Sequence, residues 1–194
     1  MDVAVWRRET RARLIAQRQQ IPPEEHQRWS LKIEGFLEAA LLDLPPQTVS
    51  AYWPFQAEVD LRALIDRLRA KGWIAALPLV VKKRSPLEFL RWSADAEMDA
   101  GVYGIPVPLI RIPVQPDVVI IPLVGFDALN FRLGYGAGYF DITLAALQPR
   151  PRTIGVGFEL SRLETIHPHL TDIPLDLIIT EAGIQEFRDG HQIG

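Results

Sequence analysis

The sequence of 194 residues contains no cysteine, which excludes disulfide bonds, a catalytic thiolate and metal sites built on cysteine. Long apolar runs are also lacking. The longest run, residues 118–125, is interrupted by Pro122 and is far shorter than the ~20 residues that a membrane-spanning helix needs. The N-terminal region is rich in arginine and glutamate and has no apolar signal core. These absences predict a cytoplasmic protein that does not bind membranes.

A strong charge of one sign is missing as well. The formal net charge is -3, which argues against an electrostatic interaction with nucleic acid but leaves room for a local basic pocket. Apolar residues make up 48% of the chain and charged residues 23%, as in ordinary globular proteins. We therefore expect residues 1–194 to form one domain, as a monomer or, alternatively, a dimer.

The spacing of apolar residues predicts helices that alternate with short strands. Two helices are expected first, at residues 3–19 and from Pro23 to the Pro45-Pro46 pair. Further strands are predicted at residues 48–53, 73–78, 86–92, 117–122, 152–158 and 176–180, and further helices at 59–71 and 139–147. The proline-rich stretch 106–116 is predicted to be a loop. This alternation predicts an α/β three-layer domain, with a mostly parallel central sheet and helices on both faces.

A glycine-rich segment carries the clearest functional signal. Gly134, Gly136 and Gly138 follow the apolar strand 117–122 and open a predicted helix, an arrangement that lets backbone amides approach a phosphate. Arg132 precedes the segment and Asp141 follows it, so that a guanidinium and a metal-binding carboxylate are close by. The alternative is a tight turn that needs glycine only for its geometry.

Two common nucleotide motifs are excluded. Tyr139 stands where the last glycine of the dinucleotide motif G-x-G-x-x-G belongs, and no Gly-Lys-Ser/Thr follows as in a P-loop. An NAD-dependent oxidoreductase is therefore disfavoured.

Phe126-Asp127 and the run of residues 132–141 resemble the signature of the 5-formyltetrahydrofolate cyclo-ligase family, also called 5,10-methenyltetrahydrofolate synthetases. Other segments agree with that family in order and spacing: Arg7, Arg11 and Arg18; Ser30 and Ile33; residues 52–54 and 58–60; residues 101, 104–106 and 108; residues 157–159; residues 172–176; and residues 180–181. The resemblance implies an α/β ligase that uses ATP and Mg²⁺ to convert 5-formyltetrahydrofolate to 5,10-methenyltetrahydrofolate, with release of ADP and phosphate. In the implied scheme the formyl oxygen is phosphorylated and N10 then attacks the activated carbon.

The resemblance also implies site residues. Arg132 and Tyr139 would be catalytic. The ATP would be held by Arg7, Arg11, Arg132, Leu133, Gly134, Tyr135, Gly136, Ala137, Gly138, Tyr139 and Phe140. The reduced folate would contact Glu58, Trp92, Tyr135 and Tyr139, with the Glu58 carboxylate accepting from pterin N–H donors. Asp141 and Asp172 would hold Mg²⁺.

The sequence departs from the family pattern at six positions. They are Arg7 for lysine, Leu61 for threonine, Val107 for glutamate, Phe140 for tyrosine, Ser161 for glutamine and Thr171 for histidine. A divergent ATP-using paralogue with another acceptor, or a non-catalytic folate-binding protein, would also fit such a sequence. Residue by residue, the alternatives are a solvated helix face for Arg7 and Arg11, a helix-start acid for Glu58, a turn cap for Asp172 and a core position for Trp92.

Overall fold

The computed structural model describes residues 2–187. The helices are α1 (Val3–Gln19), α2 (Pro23–Leu42), α3 (Arg62–Ala70) and α4 (Tyr139–Ala146). The strands are β1 (Thr48–Ser50), β2 (Ile74–Leu79), β3 (Glu88–Arg91), β4 (Met98–Ala100), β5 (Pro106–Pro108), β6 (Val118–Pro122), β7 (Gly125–Phe126), β8 (Arg132–Leu133), β9 (Arg152–Val156), β10 (Leu177–Thr180) and β11 (Gly183–Glu186). Short 3₁₀ turns lie at Val102–Gly104 and Glu159–Ser161. Among residues 2–187 no helix combines the length and apolar character needed to cross a membrane.

A seven-stranded sheet with the order β11-β10-β9-β6-β1-β2-β3 forms the centre of the fold. The five inner strands pair in parallel, and the two edge strands β3 and β11 are antiparallel to their neighbours. The chain moves from β1 to β2 on one side and from β6 to β9 on the other. The strand order therefore reverses between β1 and β6, and the carboxyl ends at such a reversal form the usual crevice for a ligand.

Helices cover both faces of the sheet, as the sequence predicts. Strand β6 shows this directly, because Val118 and Ile120 pack with α2 and α3, whereas Val119 and Ile121 pack with Leu144 of α4. A strand buried on both faces has no polar side to present, which explains its uninterrupted apolar sequence. The prediction of a single domain over residues 1–194 stays a prediction.

Helix α1 contacts the loops that follow the carboxyl ends of the strands. Arg7 donates to the carbonyls of Ile166 and His167. Arg18, about three turns further along, donates to the carbonyls of Gln56 and Leu123. The side chains of α1 therefore reach the crevice edge of the sheet and stabilise several loops there at once.

Several boundaries differ from the predictions, and four short strands were not predicted. Strand β1 ends at Ser50 rather than at residue 53, and α3 begins at Arg62 rather than at residue 59, because Asp60 Oδ1 accepts from the Arg62 amide before the helix starts. The predicted loop 106–116 is wrong at its beginning, where β5 pairs with β4. Pro106 and Pro108 fit this isolated two-stranded ribbon because its strands have open edges. The strands β4, β7, β8 and β11 carry too few residues for a period of two to be recognised.

Candidate active site

A cavity of about 460 Å³ opens at the strand reversal. Its walls include residues at or after the carboxyl ends of β1 (Tyr52, Trp53), β2 (Val80) and β6 (Pro122). Every residue that the resemblance assigns to ATP, folate or metal also lines it, with the exception of Trp92. The fold therefore brings residues from positions 7 to 172 of the chain into one cleft, which we call the cleft below.

The glycine-rich segment forms one wall of the cleft and leads from β8 into α4. Gly136 has φ +103° and Gly138 has φ +70°, so that both adopt backbone conformations that suit glycine. Gly138 is the N-cap of α4, no side chain caps this helix, and residues 138–141 line the cleft, so that the positive end of the helix dipole borders it. Gly134 has no positive φ, so the segment requires glycine for conformation at two of its three positions.

Arg132 is buried below this segment, on strand β8. Its Nη1 donates to the Ile173 carbonyl at 2.9 Å, and its Nη2 lies 2.9 Å from Asp141 Oδ1. Nη2 is fully buried, and the ion pair with Asp141 is not aligned as a hydrogen bond. Burial lowers the pKa of the Arg132 guanidinium, with the nearby carboxylates acting in the opposite direction. A buried donor without an aligned partner in the wall of a cleft is a group that an anionic ligand satisfies well.

Two arginines of α1 complete a basic end of the cleft. Arg11 Nε donates to the Gly134 carbonyl at 2.7 Å, and its guanidinium lies against Gly136. Arg7 is buried and forms an ion pair with Asp172. Burial, followed by the positive charge of Arg7, lowers the pKa of Arg11. A bound polyanion would relieve this repulsion, so the basic end is arranged for a ligand with several negative charges. These contacts exclude the alternative interpretation in which Arg7 and Arg11 only form a solvated helix face.

The two predicted metal ligands lie in the same end of the cleft and are already engaged by protein groups. Asp141 Oδ1 accepts from the Ile173 amide, in addition to its ion pair with Arg132. Asp172 Oδ2 accepts from Arg7 and from the His169 amide. Over the described residues no cluster of three or more acids or histidines is present. Two carboxylates beside a phosphate-binding loop nevertheless suit Mg²⁺, which keeps several waters and takes its other ligands from phosphates.

Glu58 is buried and lines the cleft without contacting Arg7, Arg11 or Arg132, and we call its surroundings the carboxylate end. Its Oε2 accepts from the Phe55 amide at 2.9 Å, and its Oε1 accepts from the Tyr135 hydroxyl at 2.7 Å. Burial raises the pKa of the Glu58 carboxyl. The hydrogen bond from Tyr135, the charge of Arg18 and the Phe55 amide act in the opposite direction and lower this pKa. Glu58 precedes α3 instead of lying in its first turn. Tyr135 thus connects the two ends, because its backbone belongs to the glycine-rich segment and its hydroxyl contacts Glu58.

Apolar and aromatic side chains form the walls between the two ends. Trp53 lines the cleft, and the Phe55 ring lies 5.9 Å from that of Tyr135. Trp92, which the resemblance assigns to the folate, is not among the lining residues. Its side chain is buried in the core on the α2 and α3 side, where its ring lies 6.5 Å from that of Trp53. The structure therefore supports a core position for Trp92, one shell behind Trp53.

Comparisons with known proteins agree with this geometry. The model of the 5-formyltetrahydrofolate cyclo-ligase family matches residues 3–181. The chain belongs to that family. A 5-formyltetrahydrofolate cyclo-ligase from Escherichia coli K12 is 29% identical over 158 residues, which cover 76% of this chain and 87% of the relative. One from Mycolicibacterium smegmatis is 26% identical over 187 residues, covering 92% and 95% of the two chains.

Solved structures of cyclo-ligase family members have the same fold. The NMR structure of 5,10-methenyltetrahydrofolate synthetase from Aquifex aeolicus superposes with a TM-score of 0.82 at 28% identity, covering 97% of this chain and 96% of that one. The corresponding enzyme from Mycoplasma pneumoniae gives a TM-score of 0.76 at 25% identity, covering 93% and 99%. The shared architecture extends over essentially the full length of both.

Most departures from the cyclo-ligase pattern lie outside the cleft. Val107 packs in a small apolar cluster with Leu79 and Leu90. Leu61 is fully buried in the core, and Ser161 Oγ donates to the Phe158 carbonyl. Thr171 is exposed in the turn before Asp172. Only Arg7 and Phe140 line the cleft, so the departures change little of the surface that a ligand would meet.

Some residues of the site were not predicted as such. Arg18 appears in the sequence only as part of the basic pattern of α1, yet it donates to the Tyr135 hydroxyl at 2.7 Å. Asp127 was noted only in the signature, and its carboxylate accepts from the amides of Leu129, Phe131 and Ile166. Asp127 thereby connects the β7–β8 hairpin to the segment that leads to Asp172. Nothing in the local pattern around either residue indicates these contacts.

Proposed function

We propose that the chain catalyses the ATP-dependent conversion of 5-formyltetrahydrofolate to 5,10-methenyltetrahydrofolate, with release of ADP and phosphate. The observation that carries the proposal is the division of one cleft into a basic end, with Arg7, Arg11 and Arg132 around the glycine-rich segment, and a carboxylate end at Glu58. Tyr135 belongs to both ends. A reaction that transfers a phosphoryl group from a polyphosphate to a substrate with ring N–H donors suits this division.

The basic end suits the phosphates of ATP. Arg11, Arg132 and the backbone of residues 136–138 line the cleft there, and Arg132 has a buried Nη2. Charge develops on the transferring phosphoryl oxygens, so fixed guanidinium groups and amide dipoles there lower the barrier without having to reorganise. We assign Leu133, Ala137 and Phe140 to the same subsite because they line the cleft beside these groups.

The carboxylate end suits the pterin. A carboxylate accepts from the adjacent amino and ring N–H donors of a pterin in a paired arrangement. The aromatic walls at Trp53 and Phe55 would pack on the flat ring and exclude water from it. Tyr139 lines the cleft at the start of α4, next to the phosphate-binding amides, and we assign it to the region where formyl group and phosphoryl group meet.

The order of the two steps follows from the leaving group, because the formyl oxygen leaves readily only after it has been phosphorylated. The formyl oxygen attacks the γ-phosphorus as the bond to ADP breaks, which turns an amide oxygen into a phosphate ester. The N10 lone pair then attacks the activated carbon, the carbon–oxygen bond breaks, and phosphate departs with the former formyl oxygen while N10 loses its proton. Neither step needs an enzyme nucleophile, so the main contributions are the orientation of the two substrates and positive charge around the phosphoryl group.

Mg²⁺ would be held by Asp141 and Asp172, whose carboxylates lie in the basic end of the cleft. The ion would neutralise charge on the β- and γ-phosphates. The oligomeric state, a monomer or alternatively a dimer, stays a prediction. A cytoplasmic location stays a prediction.

The test is the appearance of the methenyl product by its ultraviolet absorbance, with enzyme, 5-formyltetrahydrofolate, ATP and Mg²⁺. We expect product formation that stops when ATP or Mg²⁺ is omitted, and ¹⁸O from a labelled formyl group in the released phosphate. Absence of product at high enzyme concentration would refute the proposed reaction. ATP hydrolysis stimulated by another metabolite would then indicate a different acceptor, and folate binding without nucleotide binding would indicate a non-catalytic protein.

A further inference from the structure

Arg18 is a buried arginine that the proposed reaction does not use. It lies in the last turn of α1 and is not among the residues that line the cleft. Each of its three guanidinium nitrogens has a partner: Nε donates to the Gln56 carbonyl at 2.9 Å, Nη1 to the Leu123 carbonyl at 3.0 Å, and Nη2 to the Tyr135 hydroxyl at 2.7 Å. These partners belong to the loop after β1, the end of β6 and the glycine-rich segment, so Arg18 connects three separate walls of the cleft.

The bond to Tyr135 sets the direction of a hydrogen-bond chain. Arginine has donors and no acceptor, so the Tyr135 hydroxyl must accept from Arg18. The single proton of that hydroxyl is then available to Glu58 Oε1, which accepts it at 2.7 Å. Arg18 Nη2 itself lies 3.8 Å from the same oxygen, too far for a direct hydrogen bond. Arg18 therefore acts on Glu58 in two ways, through its charge in a buried ion pair and through the hydroxyl of Tyr135.

The turn that carries Glu58 is strained, and Arg18 supports it. Gln56 and Ala57 have φ values of +47° and +60°, although neither is glycine. Such conformations persist only where surrounding contacts hold them. The Nε bond of Arg18 to the Gln56 carbonyl and the Glu58 bond to the Phe55 amide are two of these contacts, and His26 Nε2 lies 3.0 Å from the Ala57 carbonyl.

We propose that Arg18 is a positioning residue for the folate half of the site: it orients the Tyr135 hydroxyl and holds the turn at residues 55–58, so that the Glu58 carboxylate is presented to the N–H donors of the substrate. This inference rests on the proposed function. It separates the roles of three arginines on one helix, because Arg7 and Arg11 lie at the basic end whereas Arg18 acts on the carboxylate end.

A purely structural arginine would stabilise the fold without a preference for either substrate, so the test compares KM values. The variants are Arg18→Met, Tyr135→Phe and the double variant, with Arg13→Met as the matched control, since Arg13 is an exposed arginine of the same helix. We expect Arg18→Met to raise the KM for 5-formyltetrahydrofolate about ten-fold or more, the usual effect of losing a charge-assisted hydrogen bond. The KM for ATP should change less than about two-fold, and Arg13→Met should resemble the wild type.

The double variant shows whether Arg18 acts through Tyr135. If it does, Arg18→Met costs clearly less folate affinity in the Tyr135→Phe background than in the wild type, because part of its effect is already lost. The proposal would be overturned if the increases in folate KM of the two single variants simply multiply in the double variant. Equal increases in the KM values for ATP and for folate would overturn it as well, and so would an Arg18→Met variant that behaves like Arg13→Met.

Arg18→Lys covers the case in which Arg18→Met does not fold. Lysine keeps the charge but cannot reproduce the fork of donors, so we expect folded protein with an intermediate rise in folate KM. A wild-type folate KM in Arg18→Lys would overturn the proposal. Wild-type enzyme that neither binds nor converts 5-formyltetrahydrofolate is a different result, since it refutes the proposed function and with it the inference drawn from it.

Discussion

Replacing the three glycines of the glycine-rich segment by alanine, one at a time, tests whether backbone conformation creates the phosphate site. Gly134 has no positive φ and an added Cβ would have no atom within 4 Å. Gly138 has φ +70° and equally open surroundings. Gly136 has φ +103°, and a Cβ there would lie 3.4 Å from the Arg11 guanidinium. The three positions thus differ stepwise in conformation and in contact.

The magnitudes follow from these differences. Alanine in the left-handed conformation of Gly138 costs about 1 kcal/mol, which corresponds to a roughly five-fold loss of kcat/KM for ATP. At Gly136 the conformation lies outside the left-handed well and the methyl group presses on Arg11, so we expect about 2 kcal/mol or roughly thirty-fold. Gly134→Ala should remain within about two-fold of the wild type, because neither strain nor a protein contact opposes it.

The assay is kcat/KM for ATP at saturating 5-formyltetrahydrofolate, followed by the absorbance of the methenyl product. The segment borders an open cleft, so strain there is relieved by a change of loop conformation and thermal unfolding midpoints should stay close to the wild type. Equal losses at Gly134 and Gly136 would refute the reasoning, since steric access and not conformation would then explain the glycines. A Gly136→Ala variant with full activity would refute it as well.

Four further outcomes are expected. Arg132→Ala should reduce kcat by about 10²-fold or more with a smaller change in substrate KM, measured at saturating substrates. Glu58→Gln should weaken folate binding about ten-fold or more. Because burial raises the pKa of Glu58, wild-type folate affinity should be complete above that raised pKa and decline as the pH falls through it, and Glu58→Gln should remove this acid limb. Trp53→Leu should raise folate KM, whereas Trp92→Phe should mainly lower the unfolding midpoint, by calorimetry. Chelation of Mg²⁺ should abolish turnover and leave folate binding, measured by titration calorimetry, largely intact.

The regular elements were predictable where their local signals are strong. Helix α1 has the predicted bounds of residues 3–19, and the apolar run at residues 118–122 forms the doubly buried strand β6. The short ribbons were not predictable, since strands of two or three residues have no measurable period. Their positions depend on hairpin contacts such as Asp127 with the amides of Leu129 and Phe131.

The phosphate half of the site could be predicted because its residues are contiguous. Arg132, the glycines and Asp141 lie within ten positions of the sequence, and a strand-to-helix turn of this composition has few other uses. The folate half could be predicted only from resemblance, and there Trp92 was assigned to the wall that Trp53 forms. Both tryptophans follow strands, and the sequence does not indicate which of the two neighbouring rings faces the cleft.

The sequence by itself indicated the glycine-rich segment, the α/β layering and the family, because these depend on local composition, on apolar spacing and on the order of short motifs. Only the tertiary structure decided what lies opposite the loop. Glu58 and Tyr135 lie 77 positions apart in the sequence, and the reversal of strand order between β1 and β6 brings the Tyr135 hydroxyl to 2.7 Å from Glu58 Oε1. The contacts of Arg18 with three walls of the cleft depend equally on how α1 packs on the crevice edge, which is a property of long-range packing and not of any local pattern.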